Sequence, residues 1–378
     1  MLRRSLLIAL LPRLTGASAC SATPPPSESD LAEAIDFEVV APACDAVVDA
    51  SAALAAAVAT FVASPNEMNL RAAQAAWLRA HLVYRSKTAA LRFVTNSTPK
   101  SMGDERFNDS AWLEATIAGT EPLRGIPRLS DRSFGILEYL LFERERAWTD
   151  GDYAPNPWKP AAETVARFVG DRGIRRRELA HLLARTIARV ATELRDAWKA
   201  QRTAPPSEDP GAFSRKPAST QLVIVLDAAL EEEGTFFAYA LGIPDVTGPH
   251  PAKVPSVRSG NTLPELQAAV AGIHGLYRGA CPPSDTRTCT RPLRLDSFLR
   301  ARDADFATRW EAAQEATEAA LQTLPSPLNE HLGDPEVRAV YRVLRTEHCS
   351  FSESAFGVMG LTQYIFFCGN CRVCQWQE

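Results

Sequence analysis

The chain has 378 residues, of which 46% are hydrophobic and 23% are charged, and its formal net charge is −4. A chain of this length can bury one large core or two medium ones, and two domains is the better expectation. The acidic balance, with no Lys/Arg stripe that alternates with aromatic residues, argues against nucleic acid as the partner. Alanine, leucine and arginine are abundant, and this composition favours helices.

Residues 1–20 have the parts of an export signal. Two arginines precede the apolar run 5–11, which is too short to span a bilayer permanently, and small residues come directly before Cys20. A cysteine in this place predicts bacterial lipoprotein processing with acylation of Cys20, and therefore an exported protein, periplasmic or anchored to the outer membrane through its lipid. Arg13 interrupts the apolar segment and Ala17 stands where lipoproteins usually have leucine, so cleavage without lipidation stays open.

Four helices are predicted before residue 203. Apolar residues recur at helical intervals from Ile35 to a stop at Pro65, from Glu67 to Phe93, and from Arg175 to Trp198, where the arginines form a solvated face. The remaining helix is the apolar decapeptide 133–142. A four-helix bundle is the natural packing of these segments.

The decapeptide 133–142 is apolar or glycine apart from Ser133 and Glu138. A helix that is apolar on every side belongs inside a protein, so Glu138 is predicted to be buried. A buried glutamate needs a cation, a hydrogen-bonding group or a metal within reach, or else it carries a raised pKa. A ligand site and a structural ion pair with an arginine both meet that need, and the sequence leaves both open.

Two histidines fall on predicted helix faces. His81 lies between Trp77 and Tyr84 on one stripe, where a satisfied core histidine is the common case and a ligand is the alternative. His274 lies in a helix predicted to start at a capping box, Thr262 to Glu265, and to end near Gly279, and it is interpreted as structural.

Composition divides the chain into successive segments. A proline-rich tether and a linker rich in proline and serine separate the signal and two predicted helical domains, and a short cysteine-rich tail follows. The predicted order is signal 1–20, tether 21–29, first bundle 30–202, linker 203–219, second bundle 220–367 and tail 368–378.

Eight cysteines offer two kinds of site. Cys281 and Cys289 flank a Pro-Pro loop and are predicted to form a local disulfide. The tail has two consecutive Cys-x-x-Cys spacings, which could bind a metal with Cys349 or His348 as the fourth ligand. An exported protein meets an oxidising compartment, which favours disulfides over a metal there. The cysteines concerned are Cys349, Cys368, Cys371 and Cys374.

Two stretches resemble the imelysin-like family, also classified as peptidase family M75. The family has a Gly-x-His-x-x-Glu signature followed by an aromatic residue and Leu-Leu, and the decapeptide keeps Glu138 but has Gly135 at the histidine position. The family also has Trp-x-x-Ala-Arg-x-x-aromatic. In this chain Trp77 begins that motif, and His81 stands where the family has arginine.

The resemblance implies an all-α fold in which two four-helix-bundle-like domains face each other across a cleft. It also implies a cell-envelope binding protein connected with bacterial iron uptake, which holds iron, another divalent metal or a small ligand between the bundles. Glu138 and His81 are the ligands expected on this basis, with His81 replacing the nitrogen lost at Gly135. The sequence identifies no protein partner.

Two alternatives stay open. One is a degenerate family member that no longer binds a metal and serves as a scaffold or protein-binding surface. The other is a peptidase, which is the third choice because the sequence has no His-Glu-x-x-His and no Gly-x-Ser-x-Gly motif.

Overall fold

The computed structural model of the chain describes residues 27–95, 110–124, 126, 133–142, 160–203, 216–222, 237, 240–241, 254–278 and 295–358. Within these ranges every regular element is helical, which confirms the prediction of an all-α fold. The α-helices are α1 (Glu28–Ile35), α2 (Ala41–Ala63), α3 (Glu67–Thr95), α4 (Ser110–Ala118), α5 (Ser133–Phe142), α6 (Ala161–Ala166), α7 (Gly170–Thr203), α8 (Thr262–Arg278), α9 (Leu295–Arg302), α10 (Ala304–Gln322) and α11 (Pro335–Val358).

The helices predicted before residue 203 are present, but α7 extends five residues beyond its predicted span at each end, and a π-helix at Asp36–Val40 interrupts the stretch that precedes Pro65. In the segment 295–324 apolar residues recur at helical intervals, which favours one helix, but the structure has two helices that meet at Asp303. The backbone of Asp303 is extended, and its carboxylate accepts a hydrogen bond of 2.8 Å from the backbone N–H of Phe306. Asp303 thereby ends α9 and caps α10, because a capping side chain satisfies a backbone donor that has no partner within the helix.

The first group of helices, 28–203, is built around α2. This helix packs against both α3 and α7, and α5 packs against α7 and α3. The rings of Phe61 and Phe168 meet in this core with their centroids 4.7 Å apart. Where α1 passes into α2 through a short π-helix, Asp36 accepts a hydrogen bond of 2.8 Å from the indole of Trp198 and also pairs with Arg202. These bonds fix the end of α7 to the junction between α1 and α2.

The helical stretch Glu28–Ala63 is, by length and composition, apolar enough to cross a membrane. Its bulky side chains Leu54, Val58 and Phe61 are completely buried. Most of the exposed positions of α2 are small residues, chiefly alanine. The stretch is therefore the central core helix of the first group.

The second group of helices, 262–358, meets the first through α8. Helix α10 packs along α11 and α9, and α8 packs against α3 of the first group. The contact is closest at Gly272, where an added Cβ would lie 2.2 Å from the carbonyl oxygen of Ser86. Only glycine admits this approach. The proposed boundaries at 202 and 220 remain predictions.

Candidate functional site

Glu138 is buried, as predicted. All residues of α5 from Ser133 to Leu141 are buried, and Glu138 is 2% exposed. The helix occupies this position because its sequence offers no polar face that could be turned to solvent. Its carboxylate is therefore enclosed by protein and must be satisfied by neighbouring groups.

The partners of Glu138 come from the segment 254–260, which precedes α8. Its Oε1 accepts a hydrogen bond of 2.8 Å from the backbone N–H of Ser259. The guanidinium of Arg258 lies 4.9 Å from the ring centroid of Tyr139, next to Glu138 in the chain, and interacts electrostatically with Glu138. The arginine beside Glu138 is therefore Arg258, which lies outside the arginine-rich helix 175–198.

Burial dominates the acid–base properties of Glu138. Desolvation raises its pKa above the usual range, and the negative charge of Glu265 acts in the same direction. Arg258 and the Ser259 N–H lower the pKa but do not outweigh burial. Burial also lowers the pKa of Arg258. A proton or a cation placed beside Glu138 would offset the desolvation of its charge.

Glu265 is a second buried carboxylate at this site, and the sequence analysis missed it. Its Oε1 lies 2.8 Å from Nδ1 of His81, and both side chains are completely buried. The same oxygen accepts a hydrogen bond from the hydroxyl of Ser256. The other oxygen, Oε2, is buried and has no hydrogen-bond partner within the described residues.

The predicted capping box at Thr262 is wrong. The hydroxyl of Thr262 donates to the carbonyl of Pro255 at 2.6 Å, and the carboxylate of Glu265 contacts His81 and Ser256 instead of the start of its own helix. The backbone N–H of Glu265 bonds to the carbonyl of Asn261 at 3.1 Å, which begins α8. A three-residue spacing at a helix start fits a capping box and an inward-facing glutamate equally well, so spacing could not separate them.

His81 is held between aromatic rings of α3 and α5. Its ring stacks on Phe134 with centroids 4.8 Å apart, and the ring of Trp77 lies at the same distance on α3. The indole N–H of Trp77 donates to the carbonyl of Phe134 at 3.1 Å. Phe134 directly precedes Gly135, which stands at the histidine position of the Gly-x-His-x-x-Glu signature. The imidazole of His81 therefore packs beside the turn of α5 that would carry that histidine.

The structure brings His81 and Glu265 into contact and places Glu138 within electrostatic reach of Glu265. Among the residues it describes, no group of three or more His, Cys, Asp or Glu side chains is already arranged to hold a metal ion. Two carboxylates and an imidazole are nonetheless gathered at one buried place, on α5, α8 and α3.

His274 has a structural environment, in line with its interpretation. Its Nδ1 lies 2.6 Å from Glu318 and its Nε2 lies 2.8 Å from Glu347. Burial alone would lower the pKa of His274, but hydrogen bonds and charge interactions with Glu347 and Glu318 outweigh it and raise the pKa. Arg278 donates to the same oxygen of Glu318 at 2.9 Å.

The cysteine predictions fall outside the described residues or side chains. Cys44 in α2 is buried as a free thiol, and burial raises its pKa to about 12. Cys349 lies in α11, where its side chain is not described. The acylation at Cys20, the Cys281–Cys289 bridge and the tail cysteines Cys368, Cys371 and Cys374 lie in ranges that the structure does not describe.

Known proteins resemble this chain in sequence pattern and fold. A provisionally named iron-regulated protein A precursor from Parabacteroides distasonis has a similar structure, with a TM-score of 0.64, 16% identity, and coverage of 89% of this chain and 95% of that one. An imelysin-like protein from Psychrobacter arcticum has a TM-score of 0.56, 15% identity, and coverage of 88% and 95%. No curated protein sequence matches. The model of the imelysin (Peptidase M75) family matches residues 40–345, and this chain therefore belongs to the imelysin family.

Proposed function

We propose that this protein is an exported binding protein that captures a divalent metal ion, with iron as the foremost candidate, at Glu138, Glu265 and His81. Membership of the imelysin family and the name of the Parabacteroides relative, an iron-regulated protein, support a connection with iron. The signal-like residues 1–20 support export. Carboxylate and imidazole are ligand types that suit iron and other first-row divalent metals.

The orphaned oxygen of Glu265 carries the proposal. Oε2 of this carboxylate is buried and has no hydrogen-bond partner in the described part of the chain. Leaving such an oxygen unsatisfied costs on the order of 1–3 kcal/mol, and more when the group is charged. A bound cation would remove this cost by pairing with Oε2. Glu138 and His81 lie close enough to Glu265 to serve as further ligands of the same cation.

Metal binding at this site requires a rearrangement. Nδ1 of His81 is now directed to Glu265, and Oε1 of Glu138 is bonded to Ser259. A metal would have to draw both carboxylates and the imidazole toward one point. The left-handed backbone of Ser256 and Gly260 lies in the segment that would move, since it supplies partners to both glutamates.

A second candidate function is a scaffold without a metal. Arg258 already supplies a positive charge beside Glu138, and the three side chains of the site are 0–2% exposed. On this hypothesis the polar groups hold α3, α5 and α8 together and the exterior binds a protein partner. The metal hypothesis is preferred because, on the scaffold hypothesis, Oε2 of Glu265 has no hydrogen-bond partner among the described residues.

Metal analysis of the purified protein distinguishes the metal-binding hypothesis from the scaffold hypothesis. We expect the wild type to bind Fe²⁺ under anaerobic conditions, and Glu265→Gln, Glu138→Gln and His81→Gln to weaken that binding by about 10-fold or more each, because each removes a ligand. The control is Glu347→Gln, which neutralises another buried glutamate beside a histidine but lies outside the site.

The remaining outcomes are also informative. Unchanged metal binding in all three variants would move the metal elsewhere, first to the cysteine-rich tail. No bound metal in the wild type would favour the scaffold. Digestion of an unfolded protein substrate that disappears in Glu138→Gln would favour a peptidase instead.

A further inference from the structure

A concave pocket of about 760 Å³ lies at the surface of the first group of helices. One wall is the segment 122–124, which follows α4, and the other is the first half of α7. The residues of α7 that line it recur in steps of three and four from Arg175 to Arg189, which places them on one face of the helix. Pockets of this volume are typical of small-molecule sites.

The lining of this pocket is strongly basic. It contains four arginines and one glutamate, Glu178, a formal excess of three positive charges with His181 neutral. The whole chain, by contrast, carries a formal charge of −4. A concave surface lined by one sign of charge concentrates ligands of the opposite sign.

Two of the four arginines are held by the protein itself. Nε of Arg175 donates to the carbonyl of Thr116 at 3.2 Å, and another of its nitrogens donates to the carbonyl of Glu121. Arg175 thus ties the wall 122–124 to α7. Arg189 pairs with Glu193 through two bonds of 2.6 and 2.7 Å.

The other two arginines have no partner among the described residues. Arg124 and Arg185 make no hydrogen bond or ion pair there, and they come from the two different segments that line the pocket. His181 lies on α7, one turn before Arg185. Its buried Nδ1 also lacks a hydrogen-bond partner among the described residues. A buried ring nitrogen without a partner is costly.

We infer that this pocket binds a small oxyanion with at least two carboxylate or phosphate groups, held between Arg124 and Arg185. Guanidinium groups recognise both kinds of oxyanion through paired N–H donors. Two acidic groups allow one ligand to engage an arginine from each of the two segments that line the pocket. The site is separate from Glu138 and does not depend on the metal hypothesis.

Calorimetric titration of the purified protein at low ionic strength, free of phosphate and sulfate, tests the inference. Citrate and inorganic pyrophosphate are the probes, and we expect at least one to bind with a dissociation constant below about 1 mM. Binding of citrate alone identifies a polycarboxylate ligand, and binding of pyrophosphate alone identifies a phosphate-bearing one. Arg185→Gln and Arg124→Gln should each weaken binding about 10-fold or more.

Two further variants keep the test sharp. Glu178→Gln should tighten binding, because it removes the one acidic side chain of the lining, and a gain cannot arise from misfolding. Arg79→Gln removes the same charge as Arg185→Gln from an exposed position on α3 outside the pocket, and it should leave binding unchanged. The inference is overturned if neither probe binds more tightly than about 10 mM, or if Arg79→Gln weakens binding as much as Arg185→Gln.

Discussion

His81 and His274 are both buried beside glutamates, and their surroundings give them different properties. His81 contacts one carboxylate with one ring nitrogen. His274 meets a carboxylate at each nitrogen, Glu318 on one side and Glu347 on the other. Because an ionised carboxylate only accepts hydrogen bonds, both nitrogens of His274 must donate, and the ring is an imidazolium held in place. His274 is therefore held in a structural environment by Glu318 and Glu347.

The stability conferred by His274 should decrease as the pH rises. Its pKa is raised in the folded protein, so the folded state holds the proton more tightly than the unfolded state. The full contribution is present below the unfolded pKa of about 6.5 and is lost as the pH passes through the folded pKa. We expect the free energy of unfolding of the wild type, relative to His274→Gln, to fall in urea titrations as the pH rises above about 6.5.

His331→Gln is the control for this experiment. His331 lies 2.9 Å from Asp334 but is 37% exposed, so its pair is screened by solvent. A fall that is seen relative to His274→Gln and not relative to His331→Gln belongs to the buried histidine. A wild-type advantage over His274→Gln that grows with pH would contradict the imidazolium assignment.

Of the two acidic residues at the candidate site, only Glu138 could be predicted. Its burial follows from ten consecutive residues without a polar face, which is a local property of the sequence. Its partners Arg258 and Ser259 lie about 120 residues later in an irregular segment, and no periodicity connects them to α5. Glu265 was hidden because it occupies the spacing of a capping box, and only its contact with His81 reveals its role.

At the scale of elements, the packing of α8 on α3 depends on one glycine. Gly272→Ala would place a methyl group against the carbonyl of Ser86, within 2.2 Å, and the backbone cannot give way without separating the helices. We expect a loss of at least about 2 kcal/mol in the free energy of unfolding, as for other overpacked contacts. Urea unfolding followed by circular dichroism measures it.

Gly275→Ala, one turn further along α8, is the matched control. No atom lies within 4 Å of the position that its Cβ would occupy. Alanine in an open helical position should stabilise the protein by roughly 0.5–1 kcal/mol relative to glycine. Equal destabilisation by both substitutions would show that the close approach at Ser86 is not the determining contact.

The presence of the helices and many of their ends could be predicted from the periodicity of apolar residues and the positions of prolines. The start of α3 at Glu67 and that of α11 at Pro335 follow the sequence directly. The division at Asp303 was missed because apolar periodicity continues through it. A single extended residue with a capping carboxylate is enough to break the helix there.

At the scale of the whole molecule, the buried polar groups connect the two groups of helices. Glu138 and His81 belong to the first group, while Ser259 and Glu265 belong to the segment that enters the second. Packing of α8 on α3 surrounds these bonds with apolar contacts. The candidate site is therefore also part of the junction.

Hydrogen exchange should reveal this coupling. In Glu265→Ala, we expect amides of α3 and α5 as well as α8 to exchange faster, because the substitution removes a partner of His81 across the junction. In Glu347→Ala, a similarly buried glutamate is lost from α11, and faster exchange should be confined to α8, α10 and α11. Mass spectrometry of peptides from each helix measures the difference. Unchanged exchange in α3 and α5 of Glu265→Ala would contradict the coupling.

Ser256 has a φ of 50°, in the left-handed region that disfavours side chains, yet its hydroxyl bonds to Glu265. Glycine at this position would relieve about 1 kcal/mol of backbone strain. It would also remove the hydroxyl that donates a hydrogen bond to Glu265. In a laboratory selection for heat resistance alone, we therefore expect Ser256 to be replaced by glycine. In a selection that also requires ligand binding, we expect the serine to be retained.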